Sequence, residues 1–509
     1  MINRTTLSVE KLTERQLLLL LLGIAFALRL YAVLMARAIA VDSAFYGFMA
    51  RDFLQHNYVK GLSQPFHPFY PLLVSFIAPD AAQVEITGRL LSLVFGTGTL
   101  LLVYYLAKEV VSQKAAAVAA LFYCFHPYLI TFSGMMLSEA TYWLLLTLSV
   151  FLFWIGLKRG KILELISSGF FLALAYLTRP EGIGYLVVFL VWIFIDGGLR
   201  KGWGKKIVVM SSLLAVFMAL ALPYVIHIHR ETGRWMISKK ALDAQARLLA
   251  FTTEGQGAVE KGMIQRQKAL RKGWRLPVPI RNIVRYAPST AYRYLRAYHY
   301  ALWIFLLFGL IRKRQEGVQS ELFLASIVLF HILSLATFTP STHRFSVPVV
   351  PLSLFWAGAG VWTFRGFLKR NLPPLEKWLL VWIIVTLVFQ LVQGLQPERK
   401  HREDQKTIGL WLKDVTPKDA VIMSNSPIEA FYAEREFVHL PPDRSAKKGE
   451  TWTYQEILAY AKARGVRYVL VNQYTPETNS NFLQAIAPSD FQEIFRDDRL
   501  RENFHADYG

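Results

Sequence analysis

Apolar residues in this chain fall in long blocks rather than alternating with polar ones. A helix needs about 20 predominantly apolar residues to cross the hydrocarbon core of a bilayer. About eleven blocks approach that length: residues 17–36, 88–107, 115–131, 139–157, 162–177, 183–195, 207–226, 298–311, 321–337, 345–363 and 378–394. The pattern predicts a polytopic α-helical membrane protein with about eleven transmembrane helices. Composition agrees, since 54% of the 509 residues are hydrophobic and 18% charged. Basic residues precede the first block without a small-residue cleavage site after it, so it reads as an uncleaved first helix.

Charge then orients the blocks. With the N-terminus inside, the inner loops hold Lys158, Arg159 and Lys161; Arg200, Lys201, Lys205 and Lys206; Arg312, Lys313 and Arg314; and Arg365, Lys369 and Arg370. The short outer turns carry only isolated Arg179 and Arg344. Inner loops are enriched in lysine and arginine, so much of the net charge of +21 is a topology signal. No nucleic-acid-binding motif accompanies it. The single cysteine, Cys124, lies in an apolar block and permits no intramolecular disulfide. No internal repeat is visible, which weighs against the inverted-repeat transporters.

This topology divides the chain into a membrane domain, 1–394, and a C-terminal extracytoplasmic domain, 395–509. The membrane domain has two outer loops, 37–87 and a basic one at 227–297. In the tail, EDQKTIGLWLKDV reads as an amphipathic helix and AVIMS as a buried strand. TYQEILAYAKARG reads as a helix stopped at Gly465, followed by a second strand, VRYVLVN. A small α/β domain fits these elements.

The outer turns supply the candidate chemistry. After Asp42, Phe45, Phe48, Met49, Phe53 and Leu54 recur at helical spacing, predicting an amphipathic helix in the outer interface. Asp42 suits two roles, helix N-cap and general base at the membrane surface. Arg51 and Asp52 read as a solvated face. His67, among aromatics and prolines, reads as a packed turn histidine, and Arg89 as a snorkelling arginine. Glu139 opens a helix, where the dipole favours a carboxylate. Arg179 with Glu181, and His343 with Arg344, occupy two further outer turns. Each signal alone is weak, but together they set polar groups at one membrane depth. Arg29 lies inside the first block, where a charge costs about 2.5–3.5 kcal/mol on insertion scales, so it is expected to face protein or a polar cavity.

These stretches, taken in order, resemble the GT-C superfamily of membrane glycosyltransferases. They are LRLYAV, DSAFYGFMARDFL, HPFYPLL, GRLLSLVFGTGTLLLVYYLA, SEA, LALAYLTRPEGI and HRFSVPVVPL. The likeness is strongest to glycosyltransferase family 39, which includes protein O-mannosyltransferases and the aminoarabinose transferase acting on lipid A. The resemblance implies a GT-C fold and an inverting transfer from a polyprenyl-phosphate sugar to a lipid, glycan or protein acceptor. It implies an integral plasma (inner) membrane location with the active site outside. Asp42 corresponds to the family's catalytic aspartate; the second acid often found beside it is Ser43 here. His67 corresponds to the basic residue of the proline-rich first loop, and Arg89 to the arginine implicated in donor binding. Arg344 is a further candidate for the donor phosphate, with Glu139, Arg179 and His343 as a possible secondary site.

The sequence requires no cofactor and has no His/Cys cluster or Asp-x-Asp pair, although Asp42 and Glu139 leave a shared divalent ion open. The expected partners are donor, acceptor and membrane lipids, without nucleic acid. Two rival readings stay open: a ligase or oligosaccharyltransferase relative using a diphosphate-linked glycan, and a lipid-linked sugar transporter or flippase. Orientation underlies the first reading. A reporter fused after Gly394 is expected to behave as extracytoplasmic and one fused after Arg314 as cytoplasmic; the reverse pattern would overturn the outward-facing assignment.

Overall fold

The computed structural model describes residues 13–195, 202–240, 278–314, 318–337, 342–396, 402–441, 452–472, 475, 479–487 and 490–494. Helices run α1 Glu14–Met35, α2 Val41–Leu54, α3 Tyr58–Ser63, α4 Phe69–Ile77, α5 Val84–Val110, α6 Gln113–Phe125 and α7 Pro127–Ser133. They continue as α8 Glu139–Arg159, α9 Ile162–Thr178, α10 Gly184–Ile195, α11 Trp203–Thr232, α12 Val278–Tyr298, α13 Trp303–Leu310 and α14 Val318–Thr337. After a 3-10 helix, His343–Val349, come α15 Leu354–Asn371, α16 Pro373–Glu376 and α17 Leu379–Gly394. The tail contributes α18 Glu403–Val415, β1 Val421–Ser424, α19 Ile428–Ala433, β2 Glu436–His439, α20 Tyr454–Ala463, β3 Tyr468–Leu470 and α21 Ser480–Ala485.

All eleven apolar blocks are helical. Among the described residues, five helices are singly long and apolar enough to cross a membrane, or seven spans if two bent pairs each count once. Four shorter apolar helices account for the remaining blocks. The bent pairs have a local cause. Block 115–131 breaks by 57° between α6 and α7, where Pro127 forces extended backbone on His126 (φ −65°, ψ 119°). Block 345–363 turns by 76° across Pro348 and Pro351, which lack the N–H that a continuous helix requires.

The chain forms two compact units. One comprises the residues before 36 together with 86–230 and 276–397. Its innermost long span is α8, 78% buried against 28% for α1 and α11. One end of this bundle gathers ion pairs, Glu14 with Lys108 and Glu109 with Lys158 and Arg159. The start of α1 and the ends of α5 and α8 therefore meet there. Helices α13 and α15 cross closely because Gly309 and Gly360 each face the other helix's backbone, at Trp356 and Phe305, where a Cβ would collide. The second half of the expected outer loop 227–297 is instead helical: α12 packs in this unit, and Asn282 Nδ2 donates to Thr337 O at 2.9 Å. Residues 241–277 of that loop lie outside the described residues.

The other unit combines residues 36–85 and 231–275 with 398–509. Its sheet has strand order β2-β1-β3 with both pairings parallel. Strands β1 and β3 occupy the two stretches expected from sequence, whereas β2, in EFVH, went unrecognised because it is short and half-exposed. Helix α20 begins with a complete capping box, Thr453 with Glu456, and Gly465 after it takes φ +63°. Helix α2 does not leave its apolar face uncovered by protein. Its apolar face is buried in protein: Tyr46, Met49 and Phe53 are covered, and Gly47 touches the ring of Phe431 on α19. Nor are Arg51 and Asp52 a solvated face. Arg51 donates to Ala81 O (3.1 Å) and Phe431 O (2.7 Å), and only 13% of the Asp52 side chain is exposed.

Helix α19 carries a buried carboxyl in its first turn. Glu429 Oε1 accepts from Gln405 Nε2 (2.8 Å) and Asn472 Nδ2 (3.1 Å), while Oε2 has no hydrogen-bond partner among the described residues. Burial raises this carboxyl above the usual range, its hydrogen bonds pulling the other way. The native state thus holds the proton more tightly than the unfolded chain. Its contribution to stability is complete below the unfolded value, about 4.3, and is lost as pH rises through the folded one. Glu429→Gln keeps the accepting oxygen without the titration. Its melting temperature should match the parent's near pH 4 and exceed it increasingly toward pH 7, and a gap that is flat with pH would refute this.

Candidate active site

In the helical unit the expected outer-turn residues converge on Glu139. Its carboxylate lies in the first turn of the 21-residue α8, where the helix dipole favours negative charge. Oε1 accepts from Arg179 Nη1 at 3.1 Å and from Arg344 Nε and Nη2 at 2.6 and 2.5 Å. Arg179 Nη2 also reaches Glu181 Oε1 at 3.2 Å. The guanidiniums lie near aromatic faces, Arg179 by Tyr142 and Phe345 and Arg344 by Phe132. Glu139 and Arg179 are 1% and 3% exposed, while 24% of the Arg344 side chain is open. The assembly is a buried two-acid, two-base network with its more accessible cation at Arg344. His343 beside it packs its ring 4.8 Å from that of Tyr128.

A residue that sequence reasoning passed over supports this network. His331, in the middle of α14, is fully buried. Its Nε2 meets Phe345 O at 2.8 Å and its Nδ1 meets Tyr185 Oη at 2.6 Å. A carbonyl only accepts, so Nε2 carries the proton and Nδ1 accepts from the tyrosine. The imidazole thereby fixes the 3-10 helix that carries Arg344. The signal was available: an ionisable residue inside an apolar block marks an interior polar contact.

Two further arginines of this unit use backbone partners. Arg89, 6% exposed, donates from Nη1 to Val33 O in the last turn of α1 at 3.2 Å. Arg29 faces protein, as its insertion cost demands. It is fully buried, donates to Ala25 O at 3.1 Å, and lies 4.8 Å from the Tyr123 ring centre.

In the other unit, Asp42 is half-buried in the first turn of α2. It is not the N-cap: Ala40 holds that position and no side chain caps the helix. The capping role therefore falls away. His67 is 1% exposed, in the turn between α3 and α4. Next to it, Phe66 stacks on Phe45 at 5.5 Å and lies under the Lys240 ammonium at 5.0 Å. Lys239 is held by Glu231 at 2.7 Å and by Leu62 O. Neither lysine stood out in the basic stretch, because its sequence does not show which cations return to the first loop. Asp42 and Glu139, considered for a shared ion, belong to different units. Among the described residues, no group of three or more His, Cys, Asp or Glu side chains could hold a metal.

The network makes a stability prediction. Removing one partner of a buried ion pair typically costs about 3–5 kcal/mol, because the other charge stays buried and unpaired. Glu139→Ala strips both arginines and should lower the melting temperature of the detergent-purified protein well below that of Arg344→Ala, which removes the more solvated partner. Equal melting temperatures for both variants and the parent would show that the network adds nothing to stability.

Comparison with known proteins bears on the fold. The family model described as dolichyl-phosphate-mannose-protein mannosyltransferase matches residues 63–227. No curated protein matches the chain. Among solved structures, the chain is similar to the Archaeoglobus fulgidus oligosaccharyltransferase in its apo form. The TM-score is 0.58 at 12% identity, covering 92% of this chain and 70% of that one. It is also similar to ArnT from Cupriavidus metallidurans bound to undecaprenyl phosphate. There the TM-score is 0.56 at 12% identity, covering 90% of each chain. The chain thus shares its helical membrane fold with these two proteins over nearly its whole length, and within it residues 63–227 match the mannosyltransferase model.

Proposed function

We propose that this protein is an inverting glycosyltransferase that moves a sugar from a polyprenyl-phosphate donor to a lipid, glycan or protein acceptor at the outer membrane face. The observation that carries this reading is the mutual 90% coverage with ArnT, a structure that holds undecaprenyl phosphate. The family model, named for a dolichyl-phosphate donor, supports the same donor class. The outward orientation rests on the basic inner loops, and the tail from 395 onward is proposed to lie on the same face.

In this mechanism Asp42 accepts the proton of the acceptor hydroxyl or amine as that group attacks the anomeric carbon. The polyprenyl phosphate leaves from the opposite face of the sugar, inverting its configuration. Negative charge grows on the departing phosphate, where basic donors stabilise it. Arg89, His67 and Arg344 are proposed for that task on the strength of the resemblance. Arg344 has the openness the task needs, with 24% of its side chain exposed. Arg89 and His67 are both buried. No metal is required in this scheme.

One observation favours a second reading. The TM-score to the oligosaccharyltransferase, 0.58, is marginally the higher, although the chain covers only 70% of that protein. A diphosphate-linked glycan would then be the donor. The two readings separate on synthetic short-chain donors, assayed as monophosphate and diphosphate sugars over a panel of hexoses and pentoses. Turnover of monophosphate donors is expected. Asp42→Asn should fold as the parent does, because helix α2 draws no cap from that side chain. Its turnover should drop about 100-fold or more, the scale of general-base catalysis. Undiminished turnover in this variant, or use of diphosphate donors alone, would overturn the assignment.

A further inference from the structure

At the end of the helical bundle opposite Glu139 lies a pocket of about 320 Å3. Val111, Ser112 and Lys114, around the α5–α6 turn, line one side, and Arg312, Trp362 and Thr363 line the other. Its two cations differ in kind. Arg312 is anchored, Nη1 donating to Gly309 O at 3.2 Å and Nη2 to Glu321. Lys114 is exposed, its ammonium 5.7 Å from the Trp362 ring centre, and it forms no ion pair among the described residues. Among the described residues, the nearby acids are already engaged: Glu14 by Lys108, Glu109 by Lys158 and Arg159, and Glu321 by Arg312 and Arg314. The described residues therefore leave a net positive charge at the pocket.

The depth of the pocket indicates what fills it. Trp362, Trp378 and Trp382 are exposed on α15 and around the start of α17, with Trp382 stacked on Phe364 at 5.4 Å. Exposed tryptophans of this kind mark the headgroup level of a bilayer. Ser112 caps α6, whose first turn gives the pocket the positive end of a helix dipole. Leu307 and Ile311 near the end of α13 are largely exposed, offering apolar surface to an acyl chain. We propose that this pocket binds the headgroup of an anionic phospholipid, its phosphate held by Lys114 and the start of α6. Basic pockets between membrane helices suit this ligand. The inference is independent of the donor chemistry, since it concerns the other end of the bundle.

The full-length protein in detergent, offered equal phosphatidylglycerol and phosphatidylcholine, should retain phosphatidylglycerol preferentially by native mass spectrometry. Lys114→Glu should weaken that retention at least about five-fold, the scale of one basic residue at a charged surface. Lys161→Glu, elsewhere in the inner loops, should leave it unchanged. Brominated phosphatidylglycerol should quench tryptophan fluorescence in the parent more than in Trp362→Phe, which tests the pocket without altering charge. Equal retention of the two lipids, an equal loss in Lys161→Glu, or quenching unchanged by Trp362→Phe would overturn the proposal. So would full displacement of the lipid by inorganic phosphate at constant ionic strength, which would assign the pocket to a free anion.

Discussion

A carboxylate buried in a low-dielectric interior must be neutralised by partners close at hand, and Glu139 meets that demand with two arginines. Desolvating an ion costs several kcal/mol, and only well-directed hydrogen bonds return it. Here the bonds come from Arg179, forty positions on, and Arg344, 205 positions on. One oxygen thereby ties the start of α8 to the turn after α9 and to the 3-10 helix before α15. His331 closes the arrangement by holding the Phe345 carbonyl beside Arg344. This end of the bundle takes its form from this requirement.

The other arginines show how burial directs charged side chains to backbone carbonyls, including those a helix end leaves free. Arg89 takes a carbonyl from the last turn of α1, Arg29 takes one from its own preceding turn, and Arg51 takes two from neighbouring segments. Terminal helix carbonyls lack intrahelical partners, so an arginine there satisfies both itself and the backbone. An arginine's position in sequence thus does not separate an anchor from a ligand site. Asp42 differs in that helix α2 draws no side-chain cap from it.

In the unit that contains Asp42, the loop after the first helix and the tail share one core. Ile39 and Ala44 from the loop pack with Ile428, Phe431 and Tyr432 from the tail. The Tyr432 hydroxyl receives the Ile39 N–H at 3.1 Å and reaches Glu85 at 3.2 Å. The amphipathic helix α2 packs its apolar face on protein. Hydrophobic periodicity reports only that one face must leave water.

By itself the sequence determined the eleven helical blocks, the clustering of basic loops at one bundle end, and two strands and two helices of the tail. Those properties follow from local composition and from the fixed thickness of a bilayer. It also marked Glu139, Arg179 and Arg344 as polar groups at one depth, since spacing along spans sets depth. Only tertiary structure decided that these three share one oxygen, that His331 supports them, and that α2 packs against α19. It also decided that part of the basic loop is the helix α12. Such pairings join residues dozens to hundreds of positions apart, and no local pattern encodes which buried charge meets which. Even the broken spans divide this way: prolines announce an interruption, but packing sets the 57° and 76° bends.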